Sequence, residues 1–476
     1  MQSVAEAVTR LEALATAEPL ASLASRFVAA GHELALVGGP VRDAFLGRPV
    51  NDLDLATSAH PDDIVRIIRP LADAHWEIGR AFGTIGARLG EHTVEITTYR
   101  ADAYSADSRK PEVAFGDTLE GDLVRRDFTM NAMALRLPDL TLVDPAGGLD
   151  DLFARRLMTP GSPDDSFGDD PLRMMRAARF VAQLDVQVDP RVLDSMQRMR
   201  ERLSIVSAER IRDELLKLLA TPLPRRGLEL LVDVGLAELV IPEVPALRLE
   251  VDEHAHHKDV YEHSLTVLQQ AIELEQTRAP GSAPDMVLRL AALLHDIGKP
   301  ATKRVEAQGA VTFHHHDVVG AKLARKRLTA LRLDKDTVVA VSRLVELHLR
   351  FFGYSDAPWT DSGVRRYVRD ADTLLERLHI LTRADVTTRN PRKAARLRGA
   401  YDELERRIAV LAEQEELQSI RPDLDGEQIM ALLSLRPGPI VGEAYRFLLE
   451  QRLDEGPLGA AEAERRLHEW YAGRGD

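Results

Sequence analysis

Apolar positions follow two different periods along the chain, and the change of period divides it into two parts. Between residues 33 and 145, short runs rich in β-branched residues, such as ELALVGG and TVEITTYR, alternate with helical stretches. From about residue 150 onward, nearly every segment repeats apolar positions three and four residues apart, as in AERIRDELLKLLA. We therefore expect an α+β fold, with a small α/β head followed by a mostly α-helical remainder.

Clusters of proline, glycine and polar residues predict where the helical segments end. They lie near residues 222, 250 and 395. A chain of 476 residues is too long to fold around one ordinary hydrophobic core, so several domains are expected. The predicted segments are an N-terminal helix with the head, a helical neck, a linker, a histidine-rich helical domain and a helical tail, at residues 1–153, 154–222, 223–250, 251–395 and 396–476.

Composition narrows the possible partners and the compartment. The formal net charge of −14 excludes a chain-wide basic field, so a nucleic acid would have to bind at local basic surfaces. The absence of cysteine excludes disulfides and thiolate-bound zinc, and suits a reducing cytosol. No apolar run approaches the roughly 20 residues of a membrane span, and the N-terminus lacks a signal-peptide pattern. We expect a soluble cytoplasmic protein with no membrane partner, either a monomer or a homodimer.

The segment LALVGGPVR combines a short apolar strand with a turn at Gly38 and Gly39, and Pro40 stands near the first position of a following helix. Glycine lets backbone amides approach a phosphate closely, and a helix N-terminus offers unpaired N–H groups and a positive dipole end. Arg42, one turn into the helix, can add a guanidinium to the same anion. The pattern predicts a phosphate-binding turn, with a plain turn as the alternative.

Two aspartates that follow this turn favour a metal site. In NDLDLAT, Asp52 and Asp54 are two residues apart, so on a strand both carboxylates face one side. Such a pair repels unless a cation lies between the carboxylates, and Mg²⁺ commonly binds through one or two carboxylates plus substrate phosphates. Two ions would activate an attacking hydroxyl and stabilise a leaving pyrophosphate. Glu95, in TVEITTYR, is the candidate third catalytic carboxylate, and a solvated strand end is the alternative.

The segment DDPLRMMRAARF spaces one acid and three arginines three residues apart. On a helix, this spacing keeps the four side chains close to one face. Such a row is typical either of a solvated helix face or of a surface that recognises a polyanion. Its members are Asp170, Arg173, Arg176 and Arg179.

Five motifs, in this order, resemble the class II CCA-adding tRNA nucleotidyltransferases and the related bacterial poly(A) polymerases. They are Gly38-Gly39-x-Val41-Arg42-Asp43, Asp52-x-Asp54, RRDFTMNAMA, DDPLRMMRAARF and ERIRDELLKLL. The motifs cover residues 33 to about 220, and the remainder fits the family's body and tail more loosely. The resemblance implies a nucleotidyltransferase head (palm), a neck, a body and a tail.

The resemblance also implies roles for single residues at matching positions. The catalytic Mg²⁺ ions would bind Asp52 and Asp54. The residues that it implies for nucleotide binding are Gly38, Gly39, Arg42, Arg125, Arg126, Asp170, Arg173, Arg176 and Arg179. We further expect Asp127 to orient Arg125 and Arg126, and FTMNAMAL to continue as packed structure. The polar stretch 101–123 corresponds to a flexible loop that the family uses in switching from C to A addition.

An acid and an arginine together can select a base without a template. Cytosine and adenine both present an amino donor beside a ring-nitrogen acceptor, which a carboxylate and an arginine complement. Uracil and guanine present a carbonyl beside an N–H, and leave groups unpaired at a cost of about 1–3 kcal/mol each. Asp170 and Arg173, one turn apart, are the candidate pair.

A histidine-rich region resembles the HD superfamily of metal-dependent phosphohydrolases. The superfamily's ligand order matches His263, His295, Asp296 and Asp385. Histidine and carboxylate together suit a second divalent or transition metal that would polarise a phosphate and a water. His314, His316 and His348 are candidates for completing a second metal site or binding a phosphate.

We expect template-independent addition of C, C and A from CTP and ATP to the 3′ end of tRNA, with release of pyrophosphate. The alternatives are a poly(A) polymerase, an enzyme that adds only CC or only A, and a phosphohydrolase whose main activity lies at the HD residues. Candidate tRNA-binding clusters, which singly could be solvated helix faces, lie near residue 225 and at 322–332 and 389–398.

Overall fold

The computed structural model describes residues 4–50, 52–103, 112–249, 259–306, 311–354, 359–387, 390–415 and 421–474. The chain forms two compact units, Met1–Val240 and Ile241–Asp476. Among the described helices, none combines the length and the apolar character that crossing a membrane would require. The predicted loop at 101–123 is described only in part, because residues 104–111 lie outside these ranges.

The head of the first unit combines short strands with short helices, as the sequence predicts. In chain order its elements are α1 (Val4–Thr16), α2 (Leu20–Ala29), β1 (Leu34–Val37), α3 (Gly39–Leu46), β2 (Leu53–Thr57), α4 (Pro61–Ile68), β3 (Ala74–Trp76), β4 (Thr84–Leu89), β5 (His92–Thr98), β6 (Arg100–Ala103), β7 (Glu112–Phe115), α5 (Leu119–Val124), β8 (Ala134–Leu137), β9 (Thr141–Val143) and α6 (Gly148–Phe153).

One mixed sheet organises the head. Its strand order is β3-β4-β5-β2-β1-β8-β9, and only the β2–β5 pair is parallel within it. All four residues of β1 are buried, which explains why this strand reads as a continuous apolar run. The segment at 128–135, predicted to continue as packed structure, is buried throughout. A separate two-stranded ribbon joins β6 to β7.

Helices that follow the head complete the first unit. They and two short strands are β10 (Arg156–Leu157), α7 (Pro163–Asp169), α8 (Leu172–Leu184), β11 (Gln187–Val188), α9 (Pro190–Met199), α10 (Ala208–Leu219), α11 (Arg225–Asp233) and α12 (Ala237–Val240). Both α10 and α11 pack against α8. Leu215 and Leu218 of α10 and Leu231 of α11 are buried. Apolar packing against α10 and α11 therefore fixes the position of α8.

The second unit is almost entirely helical. Its elements are α13 (Val260–Arg278), α14 (Met286–Leu294), α15 (Lys299–Thr302), β12 (Arg304–Val305), β13 (Val311–Thr312), α16 (His316–Ala330), α17 (Lys335–Leu347), α18 (Asp361–Ala371), α19 (Leu375–Ala384), α20 (Pro391–Glu415), α21 (Gly426–Leu433), α22 (Pro439–Glu455) and α23 (Ala460–Ala472). Helix α14 contacts α13, α17 and α19, and α19 also contacts α13 and α17. Their apolar faces bury most of α14, including Leu290 and Leu293. The α+β fold with a helical remainder is confirmed.

Candidate functional site

A glycine turn joins β1 to α3, where a phosphate-binding turn is predicted. Gly38 has φ of 71°, a left-handed conformation that favours glycine, and its N–H donates to the carbonyl of Met133 at 3.0 Å. A β-carbon at Gly38 would lie 3.0 Å from Nη1 of Arg126. Pro40 stands in the first turn of α3. The turn therefore leaves the N-terminus of α3 open beside an arginine.

The candidate metal-binding carboxylates lie on two adjacent parallel strands. Asp54 of β2 pairs in register with Glu95 of β5, while Asp52 is exposed and immediately precedes β2. Burial raises the pKa of Asp54, and the negative charges of Glu95 and Asp52 raise it further, against the lowering effect of Arg126. A divalent cation would relieve this repulsion, and the all-oxygen donors suit Mg²⁺.

Arg42 is held in a buried network at the start of α3. Its Nε and Nη2 donate to the two carboxylate oxygens of Asp43, each at 2.9 Å. Its Nη1 donates to Oδ1 of Asn131 at 2.6 Å, and Nδ2 of Asn131 donates to Oδ1 of Asp127 at 3.0 Å. The network fixes the guanidinium that the sequence assigned to the triphosphate.

Asp127 holds an arginine of α8, which was not among the partners expected for it. Its Oδ2 accepts from Nε and Nη2 of Arg176 at 2.8 and 2.6 Å, while Arg126 donates to Asp122 at 3.2 Å. Burial raises the pKa of Asp127, but Arg176 and Asn131 outweigh it and hold this pKa at about 2. Local sequence adjacency did not indicate Arg176 as a partner, because the fold brings α8 against the buried side of this turn.

A buried carboxylate of α10 holds the other cations of the neck. Glu214 is 3% exposed, and its Oε2 accepts from Nε of Arg179 at 2.8 Å. Nη1 of Arg176 and Nζ of Lys217 each lie 3.6 Å from its Oε1. One carboxylate therefore gathers three cations.

The candidate base-reading pair already has partners within the protein. Oδ2 of Asp170 accepts from Nη2 of Arg210 at 2.8 Å, and Arg173 donates to Oγ of Ser166 at 2.9 Å and to the carbonyl of Arg125 at 2.7 Å. Asp170 lies outside α8, which begins at Leu172. The predicted single row on one helix is therefore broken at its first member, because a residue before proline disfavours helical backbone.

The glycine turn, the aspartates and part of the arginine row line one cavity of about 450 Å³. The lining residues are Gly38, Gly39, Pro40, Arg42, Asp43, Pro49, Val50, Asp52, Asp54, Arg126, Asp127, Asn131, Arg176, Arg179, Phe180, Gln183 and Lys217. Among the site residues predicted in the head and neck, Glu95, Arg125, Asp170 and Arg173 are not in this lining. Carboxylates and cations in one cavity can hold a divalent cation beside a polyphosphate.

Six histidine and carboxylate side chains meet in the second unit, five of them buried and Asp385 partly buried. In the first group, Nε2 of His263 lies 2.9 Å from Oδ1 of Asp385 and 3.3 Å from Nε2 of His295. Nδ1 of His263 lies 3.0 Å from Oγ1 of Thr387. The ligand atoms of these three side chains lie within 4.8 Å of one another. The predicted ligands His263, His295 and Asp385 are therefore together.

The second group consists of Asp296, His316 and His348, again within 4.8 Å of one another. Oδ1 of Asp296 lies 3.3 Å from Nε2 of His316 and 3.9 Å from Nε2 of His348. Its Oδ2 lies 3.2 Å from Nε2 of His295. Asp296 thus stands between the two groups, whereas His314 is exposed.

Three of these histidines are oriented by backbone carbonyls. Nδ1 of His295, His316 and His348 lies 2.8, 2.8 and 2.6 Å from the carbonyl oxygens of Ala292, Phe313 and Val345. Nδ1 must be the donor in each contact, which leaves the lone pair of a neutral ring on Nε2, as metal-bound histidine requires. Within the described part of the chain, the buried Nε2 of His348 has no hydrogen-bond partner.

Burial and charge interactions give two histidines of this cluster very different pKa values. Burial lowers the pKa of His295, but Asp296 outweighs burial and raises this pKa to about 9. Burial and the charge of His295 lower the pKa of His348 to about 4. His348 is therefore neutral near pH 7, and a cation among the Nε2 atoms would replace the proton on His295. The donor set fits a divalent transition metal.

Sequence reasoning missed several residues of the head site. Asn131 stands in RRDFTMNAMA and Glu214 in ERIRDELLKLL, so both lay within motifs that the sequence singled out. Lys217 and Phe180 also stand in singled-out motifs, ERIRDELLKLL and DDPLRMMRAARF, whereas Gln183 lies outside them. The approach of these three side chains to the glycine turn depends on the packing of α8 and α10.

The candidate RNA-binding clusters differ in how their cations are used. In the cluster near residue 225, Arg225 pairs with Glu229 and Arg226 with Asp185. On α16 the exposed cations are Lys322, Arg325 and Lys326, and on α20 they are Arg392, Lys393, Arg396 and Arg398. The two helical faces of the second unit are therefore better suited to phosphates than the cluster near residue 225.

Three segments match known families. Residues 34–158 match the poly A polymerase head domain, and residues 185–247 match the family described as probable RNA and SrmB-binding site of polymerase A. Residues 260–390 match the HD domain.

Relatives extend over most of the chain. An A-adding tRNA nucleotidyltransferase of Deinococcus radiodurans is 38% identical over 88% of this chain and 91% of its own. A CC-adding tRNA nucleotidyltransferase of Thermus thermophilus is 32% identical over 92% of this chain and 94% of its own. A crystal structure of the Bacillus stearothermophilus CCA-adding enzyme in complex with CTP aligns with a TM-score of 0.67 and 25% identity, over 95% of this chain and 97% of that chain.

Proposed function

The chain belongs to the tRNA nucleotidyltransferase family, and we propose that it adds C, C and A from CTP and ATP to the 3′ end of tRNA without a template. The relatives that cover most of the chain are tRNA nucleotidyltransferases, which confirms the resemblance drawn from the five motifs. One observation carries the proposal for this chain: a glycine turn, two aspartates and the arginines of α8 line a single cavity.

We assign the ends of this cavity to different parts of the reaction. The N-terminus of α3 and Arg42 would bind the triphosphate. Asp52 and Asp54, with Glu95 one strand away, would hold divalent ions, for which we propose Mg²⁺. Bound there, the ions would activate the terminal hydroxyl of the RNA and neutralise charge on the leaving pyrophosphate. Arg126 lowers the pKa of Asp54, so it would help to keep this carboxylate ionised.

Selection of the base would require an exchange of contacts at the start of α8. Asp170 is bound to Arg210, and Arg173 to Ser166 and the carbonyl of Arg125. These are the kinds of partner that a base edge offers in their place: an amino donor for the carboxylate and a ring-nitrogen acceptor for the arginine. Uracil and guanine present a carbonyl to the carboxylate and an N–H to the arginine, so they would not replace the contacts that Asp170 and Arg173 give up.

The direct test compares Asp54→Asn with Asp63→Asn on a tRNA transcript that lacks its 3′-terminal nucleotides. Asp63 lies on α4 and pairs with Arg66, so its variant controls for loss of one head carboxylate. We expect Asp54→Asn to abolish incorporation of labelled CTP and ATP, and Asp63→Asn to retain it. Equal incorporation by Asp54→Asn and the unchanged protein would contradict the assignment.

An enzyme that adds only part of the CCA end is the second candidate. Its support is that the two relatives covering most of the chain are named as A-adding and CC-adding. A reaction with CTP alone and a reaction with ATP alone, on substrates ending before and after CC, separate the three activities. In each case we expect the protein to work in the cytoplasm, where tRNA is processed.

A second activity is supported by the histidine cluster. The orientation of His295, His316 and His348 by backbone carbonyls, with Asp296 between the two groups, favours a metal-dependent phosphohydrolase site. We expect Mn²⁺-dependent or Ni²⁺-dependent hydrolysis of bis(p-nitrophenyl) phosphate that Asp296→Ala abolishes while nucleotide addition continues. Hydrolysis that survives Asp296→Ala would contradict this second activity.

A further inference from the structure

The aromatic ring of Phe180, on α8, lies among three guanidinium groups. Cζ of Arg179 is 4.2 Å from the ring centroid, and Cζ of Arg42 and Arg176 are 5.5 and 5.6 Å away. The ring is 3% exposed, and it meets Phe128 edge to face, with centroids 5.7 Å apart. All four residues of this group, Phe180 and the three arginines, line the cavity of about 450 Å³.

Polar groups join these arginines in pairs. The nearest carboxylates are Asp43 for Arg42, Asp127 for Arg176 and Glu214 for Arg179. Glu214 also lies 3.6 Å from Nη1 of Arg176, and Asn131 links Arg42 to Asp127. The ring of Phe180 lies within 5.6 Å of all three guanidinium carbons. An aromatic face attracts a cation within about 6 Å, by a factor of about 2 to 30 in an equilibrium constant.

The three arginines that contact the ring come from two different helices. Arg42 belongs to α3, next to the glycine turn, whereas Arg176 and Arg179 belong to α8. Guanidinium groups repel one another, most strongly in a partly buried cavity where water screens little. The cation–π attraction of the Phe180 ring for all three guanidiniums offsets part of this repulsion before a polyanion binds.

We propose that Phe180 is a positioning residue of the nucleotide site, whose ring holds Arg42, Arg176 and Arg179 as one array for the phosphates of the incoming nucleotide. The inference rests on the proposed nucleotidyl transfer and adds a residue to it. Because an array assembled in advance loses less conformational freedom on binding, the ring should affect nucleotide affinity. It should leave the chemical step unchanged, since Asp52 and Asp54 do not depend on it.

The test replaces Phe180 by phenylalanines with one, two and three ring fluorines, incorporated at this single position. Fluorine weakens the negative face of the ring stepwise and changes its shape little, so apolar packing is nearly retained. We expect KM for CTP and ATP to rise stepwise, by about tenfold at three fluorines, which equals ~1.4 kcal/mol. We expect kcat and KM for tRNA to stay constant.

The matched control places the same series at Phe45, a buried residue of α3 that meets Phe153 edge to face, with centroids 6.3 Å apart. Constant KM at Phe45 together with the stepwise rise at Phe180 supports the proposal. A flat KM across the Phe180 series overturns it, and so does a loss of kcat without a change of KM. Phe180→Leu, which keeps an apolar side chain but no ring, should raise KM at least as much as three fluorines.

Equilibrium dialysis with CTP separates this inference from the proposed function. If the unchanged protein binds CTP but adds no nucleotide to tRNA, nucleotidyl transfer fails, and the Kd series still decides the role of Phe180. If the unchanged protein adds nucleotides and the Kd for CTP does not follow ring fluorination, the role of Phe180 fails alone.

Discussion

Replacing Asp127 by asparagine should destabilise the first unit by about 2 kcal/mol at neutral pH. Asp127 is 8% exposed, and its Oδ2 accepts two hydrogen bonds from Arg176, at 2.8 and 2.6 Å. Asparagine keeps the shape and an Oδ1 that can accept from Asn131, but its Nδ2 cannot accept from Arg176. The variant therefore removes the negative charge together with the two hydrogen bonds that Arg176 donates.

The magnitude follows from the pKa of Asp127, which is about 2 in the folded protein against an ordinary value of 3.8. A difference of about 1.8 pKa units corresponds to ~2.4 kcal/mol, at 1.36 kcal/mol per unit. Because the folded pKa is the lower one, this stabilisation is present above pH ~4 and is lost as the pH falls towards ~2. About half of it should remain at pH 3.

Trp76 makes the measurement specific for the first unit. It is the tryptophan of residues 1–240, and Trp359 and Trp470 lie in the second unit. In a Trp359→Phe, Trp470→Phe background, urea unfolding followed by fluorescence reports the free energy of unfolding of the first unit. A difference between Asp127→Asn and its parent that is absent at pH 7, or equal at pH 5 and pH 3, would refute the reasoning.

Three further changes have expected outcomes. Gly38→Ala forces a side chain into φ of 71° beside Arg126 and should cost more than about 1 kcal/mol by urea unfolding and raise KM for CTP. A β-carbon at Gly39 would lie 3.8 Å from Nη2 of Arg42, an ordinary contact, so Gly39→Ala should keep the free energy of unfolding; equal free energies of unfolding for the two variants would contradict this. Glu214→Gln leaves the partly buried Arg176 and Arg179 without this carboxylate and should destabilise the first unit by about 3 kcal/mol; a change below about 0.5 kcal/mol, the size typical of surface substitutions, would show that the pairing is dispensable. His348→Ala should lower the number of Mn²⁺ ions bound per chain by one, counted by atomic emission after dialysis, with nucleotide addition unchanged; an unchanged count would exclude His348 as a ligand.

Local spacing predicts those parts of the head that one short segment determines. Gly38, Pro40 and Arg42 belong to one strand–turn–helix unit, and Asp54 follows in the next strand, so their neighbourhood is encoded within a few residues. The helical pattern likewise predicts α8, although Pro171 starts this helix after Asp170 and not before it. These features depend on backbone preferences that act over a few residues.

Partners that come from distant segments were not predictable in this way. The bond of Asp127 to Arg176 spans 49 residues, and Glu214 reaches Arg179 across 35. In the second unit, the sequence indicated His316 and His348 as candidates for a second metal site, but their contact with Asp296 depends on the packing of α16 against α17. Burial then selects these pairs, since a buried charge is costly unless it is paired.

The central claim is that the cavity of the first unit performs template-independent nucleotide addition to tRNA. The most direct measurement is to incubate the protein with Mg²⁺, CTP and ATP and a tRNA that lacks its last three nucleotides, and to sequence the product ends. The account predicts a discrete CCA end that is lost with Asp52→Ala and kept with Asp296→Ala. A product without added nucleotides, or one that Asp52→Ala forms equally well, would contradict it.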